Sequence, residues 1–298
     1  MRSIIAGVLA AVSAAGAQEL PTVLQIPAGA RALGVGDAFV AGRSAEVIFY
    51  NPAQMALQPG INASLQRFGS ASTSGSLASI FALPGGAAGV GIQFLEYGEG
   101  ALGARDSSTA LASRGPLNAY SIAVSFALGL PPFKTVRSGI TAKFVEERLG
   151  ASRDGGAAFD VGLAKDVFGR GTLALAAQNL GPALHIDGVE ANLPMRLTLG
   201  GAYAAPPLRT WFDLAGSASL SYLRDGTLVP AAGVELTYVP LDGWGFTGRA
   251  GLRRTVGGSD ARPLTLGAGV SLDRVSLDYA FNALEPGGAS HRVGLRIR

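Results

Sequence analysis

Chemistry in this chain would have to be done with few reactive groups. There are two histidines and no cysteine among 298 residues, so thiolate nucleophiles, disulfides and thiolate metal sites are excluded. His291 follows Ser290 directly and His185 falls in an expected outer loop, but a hydroxyl nucleophile needs a base within hydrogen-bond reach and a third group to orient that base. No serine-centred motif accompanies either histidine, and both read as polar rim residues rather than as a hydrolase. Glu96, Glu99 and Asp106 could meet a cation only as solvated loop acids, and no metal-ligand spacing is present. Gly34-Val35-Gly36 has the look of a phosphate-cradling loop but lacks the preceding strand, the following helix and the third glycine. The sequence therefore calls for no cofactor and no metal.

The remaining groups are charges at alternate positions of apolar segments: Arg137, Lys143, Asp160, Arg196, Asp213, Glu235, Arg249, Arg253, Asp278, Arg292 and Arg296. Their positions come from the elements that must carry them. Val275, Leu277, Tyr279 and Phe281 share one face of an extended segment and Arg274, Ser276 and Asp278 the other, the period of two of a strand with unlike faces. Such alternation recurs about fourteen times. The segments are 61–68, 76–83, 88–95, 119–128, 136–146, 157–165, 172–178, 195–203, 211–222, 232–239, 244–253, 264–272, 274–281 and 292–297.

Three observations turn these strands into a membrane barrel. Residues 1–17 read as a cleaved export signal, with Arg2, an apolar run and the small Ala15-Gly16-Ala17. Only 15% of residues are charged and mean hydropathy is +0.31, yet no run approaches the ~20 apolar residues of a spanning helix. An exported chain this apolar is accommodated by a closed sheet, which pairs its backbone groups in lipid. The connections also sort by parity. Every second link is tight, at Pro84-Gly85-Gly86, 130–134, Phe168-Gly169-Arg170, Ala205-Pro206-Pro207, Pro240-Leu241-Asp242 and Asp273, while the two longest, 97–118 and 181–194, fall among the others. Short turns at one end and longer loops at the other are the asymmetry of outer-membrane barrels.

The expectation is an all-β, transmembrane antiparallel barrel of about fourteen strands in the outer membrane of a Gram-negative-type bacterium. Tyr120, Ile122, Val124, Phe126 and Leu128 would face lipid, as would Leu264, Leu266, Ala268, Val270 and Leu272. Trp211, Phe212, Tyr222, Tyr238, Trp244 and Phe246 would form a thin interfacial girdle. The charges at alternate positions would face the lumen as a salt-bridge network holding the barrel or a plug. With a net charge of +3 and scattered arginines, nucleic-acid binding has little support.

Residues 18–59 do not alternate, and a compact Gly/Ala-rich segment before a barrel with a small-residue inner wall suggests an inserted plug. Phe39, Phe49, Tyr50, Met55 and Leu57 are its large apolar groups. They could line a path for a hydrophobic ligand, though packing against the wall is the preferred reading.

The run Gly29-Ala30-Arg31-Ala32-Leu33-Gly34-Val35-Gly36-Asp37-Ala38-Phe39-Val40, followed by Tyr50-Asn51-Pro52-Ala53, resembles the N-terminal signature of the PorV/PorQ family. These are outer-membrane proteins related to the FadL long-chain fatty acid transporters. Gln178-Asn179-Leu180-Gly181, Leu193-Pro194-Met195-Arg196-Leu197 and Leu277-Asp278-Tyr279-Ala280-Phe281 resemble further stretches of that family. The resemblance implies a barrel (60–298) with an N-terminal hatch (18–59) in which Gly29, Ala30, Arg31, Gly34, Gly36, Phe39, Asn51, Pro52 and Ala53 carry the motif. It also implies a non-enzymatic, type IX-like secretion component that binds secretion-system or cargo proteins at its rim. The alternative it leaves open is a FadL-like transporter of hydrophobic small molecules with a side opening. The chain departs from the family pattern at Gly42-Arg43-Ser44-Ala45-Glu46 and in ending Arg296-Ile297-Arg298.

Overall fold

The computed structural model describes residues 19–69, 72–98, 119–186, 188–206, 211–255, 261–284 and 288–298. The expected export signal, Glu99 and Asp106 lie outside them. Among the described residues there are sixteen strands: β1 Gly60–Phe68, β2 Ser72–Leu83, β3 Gly86–Glu96, β4 Ala119–Phe133, β5 Val136–Leu149, β6 Ser152–Val167, β7 Gly171–Leu180, β8 Leu184–Ile186, β9 Val189–Ala191, β10 Arg196–Ala204, β11 Phe212–Leu223, β12 Leu228–Tyr238, β13 Trp244–Arg253, β14 Ala261–Leu272, β15 Val275–Leu284 and β16 Gly288–Ile297. Fourteen of them close an antiparallel barrel in chain order, with β1 returning to β16. β8 and β9 form a separate hairpin inside the long β7–β10 link, which the alternation did not reveal.

Alternation in the sequence becomes alternation in exposure. On β4 the odd positions Ser121, Ala123 and Ser125 are buried while Phe126 and Leu128 stand outside, and on β15 Leu277 and Tyr279 are outside while Asp278 and Ala280 are buried. Leu65, Phe144, Leu199 and Leu266 continue this outward apolar band. At the end carrying the tight turns, Phe212 meets Tyr238 with centroids 5.1 Å apart and Trp244 meets Phe246 at 6.4 Å, all on the outer face. Tyr222 stands at the opposite, loop end of β11.

Sequence and structure differ at strand ends. The β5–β6 link is only Gly150-Ala151, because Ser152 to Gly156 remain in the ladder despite lacking an apolar alternation. The β1–β2 link is short for the same reason, since β2 starts at Ser72. Conversely, the turn-end link between β10 and β11 runs 205–211 and is not tight. Parity of the connections thus holds for the two longest loops and not as a general rule.

Residues 19–59 fill the lumen as short turns: Thr22–Gln25, the one-turn helix Ala30–Gly34, Ala45–Phe49 and Pro52–Leu57. The wall admits them because its inward residues are small. Gly251 has no room for a Cβ beside Gly36, and Gly162 has none beside Asn51. The segment starts at the loop end, where the Leu20 amide donates to Asn192 (2.9 Å), and leaves at the turn end into β1.

A closed fourteen-strand sheet resists detergent until heated. Unboiled protein is expected to migrate faster than boiled protein in detergent gels, and identical migration would contradict barrel closure.

Candidate functional site

The hatch is held by a small set of polar pins. Arg31, on the one-turn helix, donates from Nε (2.9 Å) and Nη2 (2.8 Å) to the Glu235 carboxylate of β12 and from Nη1 to the carbonyl of Arg43 (2.7 Å). Arg249 of β13 donates to the same carboxylate (2.7 Å) and lies 2.8 Å from Asp278 of β15, close in distance but off the hydrogen-bonding angle. Arg296 approaches Asp278 from β16 at 3.6 Å. One carboxylate pair and three arginines thus tie the hatch helix to four wall strands. Burial works against the Arg31 charge, but Glu235 more than offsets it and the guanidinium is held above its ordinary range.

Asp37 forms a second hub that the charge list overlooked, because it belongs to the hatch rather than to a strand. In a left-handed conformation (φ 64°), it accepts from the Tyr50 hydroxyl (2.7 Å) and from Arg253 (3.0 Å), with Arg196 at 3.7 Å. The Tyr50 oxygen in turn accepts from the Ala28 amide (2.9 Å), and the Ala28 carbonyl accepts from Ser64 (2.9 Å) and Ser76. Burial first, and then the Asp37 charge, push the Tyr50 hydroxyl well above its ordinary value, so it stays protonated and donating.

Asn51 caps the Pro52–Leu57 turn by accepting from the Ala53 amide (3.0 Å), and donates to the Leu163 carbonyl of β6 (3.2 Å). Proline at the first turn position and a polar cap before it are a local reason for that turn to form. Gln54 accepts from Arg137 (3.0 Å), which also grips Asp166 at 2.6 and 2.9 Å. Gly34 lies against Gly267, Gly36 donates to Thr265 (3.1 Å), and Ala30 sits beside Gly294.

The Gln178-Asn179 pair is a bulge. The β6–β7 register shifts between Phe159 and Val161, and both amides turn inward. Gln178 donates to the Phe49 carbonyl (2.8 Å), while Asn179 accepts from Lys143 (2.7 Å), which pairs with Asp160 (2.7 Å). Two adjacent amides interrupting an alternating strand were the sequence signal for it. Arg292 is buried among neutral partners, donating to Gln66 (2.8 Å), Ser64 (3.0 Å) and Ser74 (3.1 Å). Asp213 takes the lumen-facing register at the turn end but stands in solvent, outside the network.

Apolar groups form layers along the lumen. At the loop end, Val23 and Leu24 pack with Leu95, Val145, Leu184 and Leu193, so β8 joins the apolar layer there. In the middle, Phe49, Met55 and Ile48 pack against Ala78, Ile80 and Ala87, and Phe39 meets Tyr50 edge-on at 5.3 Å. Of the five large apolar hatch residues, Phe39, Phe49, Tyr50 and Met55 are buried and Leu57 is exposed at the turn end. A cavity of about 160 Å³ lies between residues 35–43 and the β10–β11 wall.

The two histidines fall outside this assembly. His291 faces outward, 2.7 Å from the Tyr279 hydroxyl, whereas Ser290 faces inward and accepts from Gln66 (3.1 Å). Adjacent in sequence, they sit on opposite faces of β16. His185 is exposed on β8.

No protein-family model matches the chain, and no curated protein matches it in sequence. Solved structures do match. CymD, a monoaromatic hydrocarbon channel, superposes with a TM-score of 0.60 at 12% identity over 93% of this chain and 97% of its own. The Pseudomonas putida toluene transporter TodX gives 0.59 at 10% identity over 94% and 98%. A Pseudomonas aeruginosa FadL homologue gives 0.52 at 13% identity over 94% and 99%. The likeness is one of fold. It is to FadL-type outer-membrane channels.

Glu46 is the network's weak point. It is fully buried, one carboxylate oxygen has no hydrogen-bond partner, and only Ser44 donates to the other (3.0 Å). Burial, opposed by Arg31 and reinforced by Asp278, raises its pKa to about 7. Its proton is therefore retained in the folded state and lost in the unfolded state between pH 4.5 and about 7, so stability falls across that window. Glu46→Gln removes this penalty. Thermal unfolding should show the variant close to wild type at pH 4.5 and more stable above pH 7, by about 3 kcal/mol. A pH-independent difference would contradict it.

Proposed function

We propose that this chain is an outer-membrane channel for hydrophobic small molecules, with the hatch as its gate. The carrying observation is the stack of apolar layers inside a polar-pinned lumen, from the Val23–Leu184 cap through Phe39, Phe49, Tyr50 and Met55 to the turn-end cavity. A water-filled pore has no use for such layers, whereas an apolar passenger would exchange one apolar surface for another. The fold likeness to the toluene transporter TodX and to the monoaromatic hydrocarbon channel CymD supports the same reading. In this reading the protein sits in outer-membrane lipid after export through a cleaved signal, its tight turns face the periplasm, and the hatch moves in steps as individual pins release.

A second reading has one observation behind it. The Gly29–Val40 and Tyr50–Ala53 signature resembles PorV/PorQ proteins, for which a type IX-like secretion role would need partner proteins at the rim and a closed lumen. Uptake decides between the two. Gram-negative cells stripped of their own hydrophobic-compound channels and expressing this chain should take up a labelled aromatic hydrocarbon or long-chain fatty acid several-fold faster than vector controls. Folded, heat-modifiable protein with no gain in uptake would contradict transport and favour the secretion role.

A further inference from the structure

We propose that the turn-end cavity is a binding site for a single-ring aromatic carboxylate. The proposal deepens the transport reading and rests on it for its purpose, though its geometry stands separately.

Size comes first. The cavity measures about 160 Å³. Cavities of about 150 Å³ lined by aliphatic and aromatic groups hold one benzene ring. A single ring fits this volume.

Its walls are suited to a ring. Val35, Ala38, Phe39 and Ala41 come from the hatch, and Ala202 and Ala215 face them from β10 and β11. Phe39 contributes its ring, and Ala202, Ala215 and Gly216 add small apolar surface from the wall, while Arg170, Thr172, Tyr203, Ser217 and Glu235 supply its larger and polar groups.

Charge then selects the substituent. The lining holds Arg31, Arg43 and Arg170 against a single carboxylate, Glu235. Glu235 is already bound by Arg31 and Arg249. Arg43 is different. Its backbone carbonyl is fixed by Arg31, and its guanidinium makes one long contact to Thr172 (3.3 Å). Among the described residues no carboxylate lies within the ion-pair distance of 4.0 Å from it. Asp166, which accepts from the Thr172 hydroxyl that Arg43 also touches, is gripped bidentately by Arg137. Arg43 and Arg170 thus leave a positive excess at the mouth of an apolar cavity. A neutral hydrocarbon would leave that charge unused, whereas a ring bearing a carboxylate would place its apolar body within and its anion on Arg43, a geometry that guanidinium forks favour.

The test is calorimetric titration of the detergent-solubilised full chain at pH 7 with benzoate and with benzamide, which shares the ring and lacks the charge. Benzoate is expected to bind, benzamide about tenfold or more weakly, and Arg43→Gln should lose about tenfold in benzoate affinity, the weight of one charge-assisted hydrogen bond. Ala215→Leu, which fills the cavity from the wall, should remove binding of both. If that chain fails to give heat-modifiable barrel, Ala202→Leu fills the same space from β10. Equal affinity for the two ligands, unchanged binding in the filled variant, or no benzoate binding to folded wild type would each overturn the site. Uptake of hydrocarbon without benzoate binding would sink this proposal alone, whereas benzoate binding without uptake would uphold the site and sink the transport reading.

Discussion

Hydrocarbon offers a peptide N–H no hydrogen-bond partner, and each group left unpaired there costs several kcal/mol. A sheet can therefore cross a bilayer only by closing on itself. In this chain closure falls to one seam, the pairing of β1 with β16 from Ile61↔Ile297 to Phe68↔Ser290. The consequences follow in order. Once closed, the sheet must turn apolar side chains outward, and the period of two then commits the other half of every strand to the lumen. Fourteen strands enclose more space than small side chains such as Gly, Ala and Ser can fill. The space is filled by residues 19–59, and the same small wall residues let that segment lie flush against the sheet.

Packing brings hatch and wall together, and charge sets their register. Buried ion pairs add little net stability, but removing one partner leaves the other stranded at a cost of about 3–5 kcal/mol. Arg31 with Glu235 and Asp37 with Arg253 are partly buried pairs of this kind, with the cost reduced by their remaining exposure, one at each end of the Ala30–Asp37 stretch. They set where the Ala30–Asp37 stretch sits against the wall. Glu46 works in the opposite direction, since burial raises its carboxyl pKa to about 7 and one of its oxygens has no hydrogen-bond partner. In the proposed transport role, a plug held by a few specific pins and loosened by one buried acid would be displaced without unfolding the barrel.

Much of the barrel was legible because one physical rule, lipid on one side and lumen on the other, writes itself into every strand. The alternation of Tyr120–Leu128 and Leu264–Leu272 carried the faces correctly. The ends of strands were less legible. Ser152–Gly156 and Ser72–Gly75 project beyond the apolar band, where backbone pairing continues without any demand on side-chain polarity. The β8–β9 hairpin escaped notice because a three-residue strand has no period to read. For the site, the wall charges were visible as polar residues on lumen faces. Their hatch partners were not, since Asp37 and Glu46 sit in turns where spacing gives no direction. The Gln178-Asn179 bulge was marked in the sequence as a family-like motif, and only the register shift explains why two adjacent amides both point inward.

A plugged lumen makes a direct electrical statement. In planar bilayers, wild-type protein is expected to conduct ions negligibly, while Arg31→Gln combined with Asp37→Asn, which frees both ends of the pinned stretch, should show stepwise openings. Porin-like conductance from the wild type, or a double variant as silent as the wild type, would contradict a hatch that fills the barrel and is held there by these two residues.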